Sequence, residues 1–355
     1  MSNHIEQAMK CLPDGIDAAL ISSPENRRYL TGMPSSAGVV VITREKSYFL
    51  IDFRYIEAAR EKVKGMQVVL LNKMRDQLQE IFLRHGIQRI GVEDAFLPLA
   101  EFSSYEKCFP QLEFVKNSGV SGLLSALRMR KDEEELRCIR EAQRITDAGF
   151  SHILDYIKPG RTERDIALEL EFFMRRMGSE GTAFDFIVVS GKNSSMPHGV
   201  PTEKAVAHGD FITMDFGGVI DGYRSDMTRT IAVGDVTEEQ RVVYDTVLKA
   251  QLAALSAISS GKECASIDKI ARDIIEQDYP GCFGHGLGHS VGLFIHEEPR
   301  LSPGCHTVLG PGVMMTVEPG IYLAGKFGVR IEDLVIVREN GIENLTKSPK
   351  NLIVL

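Results

Sequence analysis

The stretch HGLGHSVGLFIHEEP, residues 285–299, places His285, His289 and His296 within twelve positions of a chain that has nine histidines in all. Imidazole is the commonest metal ligand and the side chain best suited to moving protons near neutral pH. A helical HxxxH metal motif on His285 and His289 fails on composition. Gly284, Gly286, Gly288 and Gly292 fall within nine residues, and each would weaken a helix by ~1 kcal/mol. HEEP is not HExxH either, because Arg300 stands four residues after His296. The composition therefore predicts a turn and a strand whose histidines hold separate tasks, and other ligands must lie elsewhere.

Four acids supply them. In FITMDFGGVIDGYRSDMTRTIAV two β-rich runs flank Ile220-Asp221-Gly222, which predicts a hairpin. Asp215 and Asp226 are eleven apart, so a loop of even length puts both carboxylates on one sheet face, opposed or diagonal, where like charges repel. Their apolar neighbours Ile212, Met214 and Phe216 imply burial, and burying unpartnered carboxylates is very costly. VMMTVEPGIY ends an apolar strand on Glu318, and GVRIEDLVIV carries Glu332 with Arg330 on the same face by the two-residue period. A simple Arg330–Glu332 pair would leave the other three acids unexplained. Four carboxylates carry −4, which two divalent cations balance, with one histidine of the 285–299 stretch as a neutral fifth ligand. Oxygen-rich ligation with one imidazole favours Mn²⁺, Co²⁺ or Fe²⁺, with Zn²⁺ also possible. Two such ions side by side generate a hydroxide at neutral pH and polarise a carbonyl.

The acids sit in a weak internal repeat. IKPGRTERDIALELEFFMRRMG reads as a helix capped by Thr162 with Asp165 three residues on. ISSGKECASIDKIARDIIEQ repeats the plan about 100 residues later, with Ser266 as the expected cap. GDFITMDFGG (209–218) matches PGVMMTVEPG (311–320), which puts Asp215 close to Glu318 and brings Asp226 and Glu332 into similar places. Two similar halves facing one site are expected. Ahead of them, residues 1–124 alternate strands (GIDAALISS, GVVVITREKSYFLID, MQVVLL, RIGVED, LEFVKNS) with the helix KMRDQLQEIFLRHG, ended by Gly86 with His85 as its cap. The charge-dense LRMRKDEEELRCIREAQRITDAG reads as an amphipathic helix opening a second domain, residues 125–355.

With 355 residues, two domains fit better than one. A net charge of −8 argues against nucleic acid or an anionic membrane as the main partner. MSNHIEQAMK has no apolar signal core and no long apolar run follows, so cytoplasmic residence is expected. The six scattered cysteines form no CxxC and read as reduced, mostly buried thiols.

At this point the residues resemble a family. Asp215 in MDFGG, Asp226 in YRSDMTRT, His289 in HGLGHSVG, Glu318 in VEPG and Glu332 in RIED look like the five metal ligands of the pita-bread metallopeptidases. SPENRRYLTG, LIDFRY and LRMRKDEEELRCIREA are similar to the branch that cleaves Xaa-Pro bonds, so the resemblance spans nearly the whole chain. It implies an α/β N-terminal domain and an α+β pita-bread C-terminal domain with pseudo-two-fold halves. It implies a dinuclear exopeptidase in which a metal-bridging hydroxide attacks the carbonyl before proline, with Glu318 also shuttling a proton. His285 and His198 (in NSSMPHGVPTE) then line the substrate pocket, His296 contacts the substrate carbonyl, Arg330 buttresses a metal-bound Asp, and Tyr223 stands behind the ligands. A proline-containing peptide or dipeptide is the implied substrate and a homodimer the implied assembly. Dipeptidase and aminopeptidase P activity remain open. A creatinase-like hydrolase and a non-catalytic binding module on the same fold are the alternatives; members of both typically lack some of the ligands, and all five are here. His4, His85, His152, His208 and His306 match nothing and read as structural.

Overall fold

The computed structural model describes residues 4–355, in two compact units, Met1–Arg128 and Met129–Leu355. The first unit is built on one six-stranded sheet: β1 (Ala18–Ile21), β2 (Val39–Thr43), β3 (Ser47–Ile51), β4 (Gln67–Leu70), β5 (Arg89–Val92) and β6 (Glu113–Val115), in the order β4-β3-β2-β1-β5-β6. Only the β1–β2 and β2–β3 pairs are antiparallel. Helices α1 (His4–Lys10), α2 (Pro24–Thr31), α3 (Ile56–Lys62), α4 (Met74–Arg84), α5 (Leu99–Cys108) and α6 (Val120–Met129) accompany it. The run GVVVITREKSYFLID is two strands, because Thr43 Oγ1 accepts from the Glu45 and Lys46 N–H groups and turns the chain. Leu78, Ile81 and Phe82 form the buried stripe of α4. His85 is the C-cap of that helix, its backbone N–H donating to Ile81 O at 3.2 Å, while its ring bonds the Tyr48 hydroxyl at 2.8 Å.

The second unit opens differently from the expectation. The helix expected from Leu127 onward is broken at 130–132, where Arg130 bridges Val313 and the Lys131 N–H donates to Gly312 O. The chain then enters α7 (Glu133–Tyr156) through a capping box of Asp132 and Glu135. Next come α8 (Glu163–Arg176), β7 (Ile187–Ser190), β8 (Phe211–Phe216), the short hairpin β9 (Val219–Ile220) and β10 (Tyr223–Arg224), β11 (Met227–Ala232) and α9 (Glu238–Ala257). The plan then recurs: α10 (Cys264–Asp278), β12 (Gly288–Ser290), β13 (Glu297–Leu301), β14 (Met314–Val317), the hairpin β15 (Gly320–Leu323) and β16 (Phe327–Arg330), β17 (Asp333–Arg338), and finally β18 (Gly341–Asn344). Each half thus has a helix and a long antiparallel strand pair, β8–β11 or β14–β17, interrupted by a small hairpin.

The helices differ in how they start. Thr162 caps α8 in a capping box with Asp165. Ser266 does not cap α10: that helix begins at Cys264 after Glu263, and the Ser266 hydroxyl, inside the first turn, donates to Glu263 O at 2.6 Å. Two apolar cores support the halves. Ile166, Leu170 and Met174 of α8 pack with Val188, Met214 and Phe216 in one, and Ile267, Ala271 and Ile275 of α10 pack with Met315, Val317 and Val335 in the other. Each fully buried side chain of this size contributes roughly 1.5–3 kcal/mol. All six cysteines are free, but only Cys138 and Cys264 are buried, fewer than expected. Among the described residues no helix is long and apolar enough to cross a membrane.

Candidate metal centre

The strand registers bring the four acids together. Asp215 faces Thr228 and Phe216 faces Met227 in the β8–β11 pair, so Asp226, one step before β11, lies diagonal to Asp215 on the same face. In the second half Val317 faces Asp333, so Glu318 and Glu332 stand opposite each other just beyond the pair. The two-residue turn Asp221-Gly222 between β9 and β10, both residues at positive φ (47° and 74°), closes the first hairpin and keeps the register even. Oxygens of Asp215, Asp226 and Glu332 come within 4.8 Å of one another, all three residues buried.

His289 joins them from β12, which is strand and not helix. Its Nδ1 lies 3.1 Å from Ser290 O, a contact only an N–H can satisfy, which leaves the lone pair on Nε2. Nε2 faces Glu318 Oε1 at 3.3 Å and Asp226 Oδ2 at 3.7 Å. Burial lowers the His289 imidazole to about 3, so at neutral pH these contacts are not ion pairs. Gly288 lets this strand approach: a Cβ there would lie 2.1 Å from Thr316 O.

The electrostatics ask for a cation. Burial, reinforced by the neighbouring acids, pushes the Asp226 and Glu332 carboxyls well above the usual range, and burial lifts Glu318 to about 8. Asp215 Oδ1, Asp226 Oδ1 and Glu332 Oε1 are buried with no hydrogen-bond partner; they are the only such carboxylate oxygens among the described residues. The other oxygens are aimed by fixed donors: Arg330 to Asp215 Oδ2 at 2.7 Å, Thr228 to Glu332 Oε2 at 2.7 Å, Thr316 to Glu318 Oε1 at 3.1 Å. Acceptors held in place with lone pairs converging on one point are what a hard divalent cation requires, and the residues present fit one.

A cavity of about 480 Å³ lies over this floor. Asp215, Asp226, His289 and Glu318 reach it, and His198, His285, His296 and Arg330 line it. The His296 ring lies edge-on to His289, centroids 4.5 Å apart. Burial lowers His285 to about 4, so it is neutral near pH 7, and its Nε2 meets the Tyr322 hydroxyl at 3.0 Å. Arg330 also donates to Tyr322 at 2.9 Å and to Thr228 at 3.0 Å. The simple Arg330–Glu332 pair is absent; Arg330 turns to Asp215. Tyr223 is outside the cavity lining and its hydroxyl donates to Glu135 at 2.9 Å. Tyr322 is the tyrosine in the cavity. The register places it there: with Gly320 facing Arg330 in β15–β16, the residue two beyond Gly320 shares Arg330's face, and no local pattern in the sequence marked it. His152 pairs with Glu169 and His306 with Glu263, away from the cavity.

The pattern of metallopeptidase family M24 matches residues 137–339, more than half of the chain. The chain belongs to metallopeptidase family M24. Residues 5–130 match the creatinase/prolidase N-terminal domain. The Xaa-Pro dipeptidase of Pyrococcus furiosus is 36% identical over 99% of this chain and 100% of its own length. Among solved structures, an Xaa-Pro dipeptidase from Bacillus anthracis is 42% identical with a TM-score of 0.94, over 99% of this chain and 98% of that one. The X-Pro aminopeptidase of Thermotoga maritima is 35% identical with a TM-score of 0.90, over 96% and 98%. In this M24 member the pseudo-two-fold α+β unit is the pita-bread fold, preceded by the α/β unit.

Proposed function

We propose that the protein is a dinuclear-metal exopeptidase hydrolysing the Xaa-Pro bond at the N-terminus of peptides or in dipeptides. The observation that carries this reading is the set of partnerless oxygens on Asp215, Asp226 and Glu332 beside the lone-pair nitrogen of His289. Asp215, Asp226, His289, Glu318 and Glu332 would hold two divalent ions, Mn²⁺ or Co²⁺ first, with Fe²⁺ or Zn²⁺ also suited to the donors. Such a pair, when bound, brings the pKa of water toward neutrality and polarises a carbonyl. Arg330 orients Asp215, and Thr228 and Thr316 orient Glu332 and Glu318. Glu318 receives the proton released at the attacking oxygen and delivers it to the leaving nitrogen. Neutral His285, clasped by Tyr322, and His198 border the leaving group, while His296 donates to the carbonyl oxygen as charge grows there. Proline's nitrogen before cleavage has no N–H, so the site needs a shaped apolar wall and no amide acceptor. Phe184, Val200 and Ile295 offer that wall. The names of the relatives support the substrate class. The reading takes residues 1–124 as the N-terminal domain and 125–355 as the catalytic domain of a cytoplasmic homodimer without nucleic-acid or membrane partners.

The test is direct. Protein stripped with chelator and reloaded with Mn²⁺ or Co²⁺ is offered Gly-Pro and Arg-Pro-Pro. Release of the first residue is expected, and no release under any metal sinks the reading. The ratio of the two rates decides between dipeptidase and aminopeptidase P. Glu318→Gln should lower kcat by roughly 10²–10⁴, the usual share of a positioned proton carrier.

A further inference from the structure

The segment ahead of α7 carries a lysine that the reaction above does not use. We propose that Lys131 is a positioning residue that sets the spacing of His289 and His296. The proposal rests on the metallopeptidase reading of that site. The Lys131 and Glu297 side chains are 1% and 3% exposed. Lys131 Nζ donates to Glu297 Oε2 at 2.9 Å and to Ser290 Oγ at 3.2 Å. Those two acceptors are the residues immediately after His296 and His289.

Each acceptor is tied to its histidine. Ser290 O takes the Nδ1–H of His289, the bond that turns Nε2 toward the acids. Glu297 organises the loop 291–296 from within. Its Oε1 accepts the Phe294 N–H at 3.3 Å, and the Gly292 N–H closes on Phe294 O at 3.0 Å. A Cβ on Gly292 would lie 2.6 Å from Glu297 Oε2, so the carboxylate occupies the space a side chain would take. The lysine cannot drift, because its own N–H is fixed to Gly312 O at 3.0 Å and Arg130 bridges Val313. One ammonium therefore clamps both ends of the bend that sets the His289 and His296 rings 4.5 Å apart. A buried pair like this adds little net stability compared with apolar side chains of the same volume, so its contribution lies in geometry. A misplacement of ~1 Å can slow a reaction about 10²-fold.

The test uses Lys131→Met/Glu297→Met in the full chain, which removes both charges together and leaves no buried charge unpaired. The thermal unfolding temperature should fall only slightly, by the loss of the Glu297 acceptor for the part-buried Phe294 N–H. Mn²⁺ affinity, read by calorimetric titration of the metal-stripped protein, should weaken ~10-fold or more. With Mn²⁺ saturating, kcat on Xaa-Pro should fall ~10-fold or more with KM changed far less. A folded double variant with both Mn²⁺ affinity and kcat unaltered overturns the proposal. If that variant does not fold, Ser290→Ala carries the test: it removes only the hydroxyl that Lys131 holds, and unaltered Mn²⁺ affinity and kcat there overturn the proposal. Lack of Xaa-Pro cleavage by the unaltered protein would sink the functional reading instead, and the Mn²⁺ titration would still judge Lys131.

Discussion

The two halves of the second unit share a plan and differ in how they secure their parts of the site. At the floor they exchange supports. Asp215 of the first half is braced by Arg330 of the second, and Glu332 of the second by Thr228 of the first. Asp226 of the first half faces His289 of the second. Around the cavity rim each half uses its own post. In the first, Glu163 at the start of α8 is fully buried and takes hydrogen bonds from five groups of Ser190, Asn193 and Thr202, holding the loop that carries His198. In the second, Asp268 of α10 pairs with Arg272, which donates to Phe283 O and His285 O, and Lys131, from the segment ahead of α7, adds a support by holding Glu297 next to His296. Symmetry thus governs the strands, where four acids must converge, and lapses in the loops, where the two walls of the cavity do different work.

The largest effect should come from cutting the ionic support between halves. Arg330→Met removes the guanidinium donor from Asp215 Oδ2, and kcat in saturating Mn²⁺ should drop about 10²–10³-fold, the scale for removing one fixed electrostatic group. A fall of less than tenfold would mean that Asp215 does not depend on the second half. The reciprocal support is a neutral hydroxyl and should matter less. Thr228→Val should weaken Mn²⁺ binding by about tenfold, read by titration of the metal-stripped protein; equal effects of the two variants would erase the contrast between them. Glu163→Gln tests the post of the first half. One oxygen becomes an amide that cannot accept from the Ser190 or Thr202 groups, costing about 2 kcal/mol of stability and raising KM more than it lowers kcat. An unchanged melting temperature would show that the loop holds itself.

The smallest effect concerns pH. Glu343 on β18 accepts from Arg140 Nε at 3.0 Å and from Arg338. These guanidinium groups, Arg140 foremost, hold its carboxyl at about 2, below its ordinary 4.5. A depressed carboxyl stabilises the fold above its unfolded value and loses that contribution as pH falls toward its folded one. Stability from this pair is therefore full above about pH 4.5 and fades toward pH 2. Glu343→Gln should flatten the acid limb of melting temperature against pH between 4.5 and about 2; an unchanged limb would mean that this arginine cluster does not secure β18.

Much of this was legible in the residues. The parity of the Asp215–Asp226 separation, the glycines around His289 and the matched strands at 209–218 and 311–320 located the acids, because strand periodicity and charge burial are local properties. The supports were not legible. Thr228 and Glu332 are 104 positions apart, Lys131 and Glu297 166, and such contacts depend on how strands separated by whole helices are brought into register. Tyr223 and Tyr322 occupy similar hairpins of the two halves, and only the register of β15 against β16 turns the second toward Arg330. The break at 130–132 was hidden for a similar reason. Helical pattern ran through it, and the backbone pairing of Lys131 with Gly312 overrode local propensity.

The exchange of supports across the floor bears on how such a domain can be altered by recombination. A chimera that took its first half from one relative and its second from another would inherit acids from one parent and the groups that aim them from the other. Arg330 would arrive with the wrong Asp215, and Thr228 with the wrong Glu332. The pair of halves, and not the single repeat, is then the smallest segment that can be transplanted with its site intact.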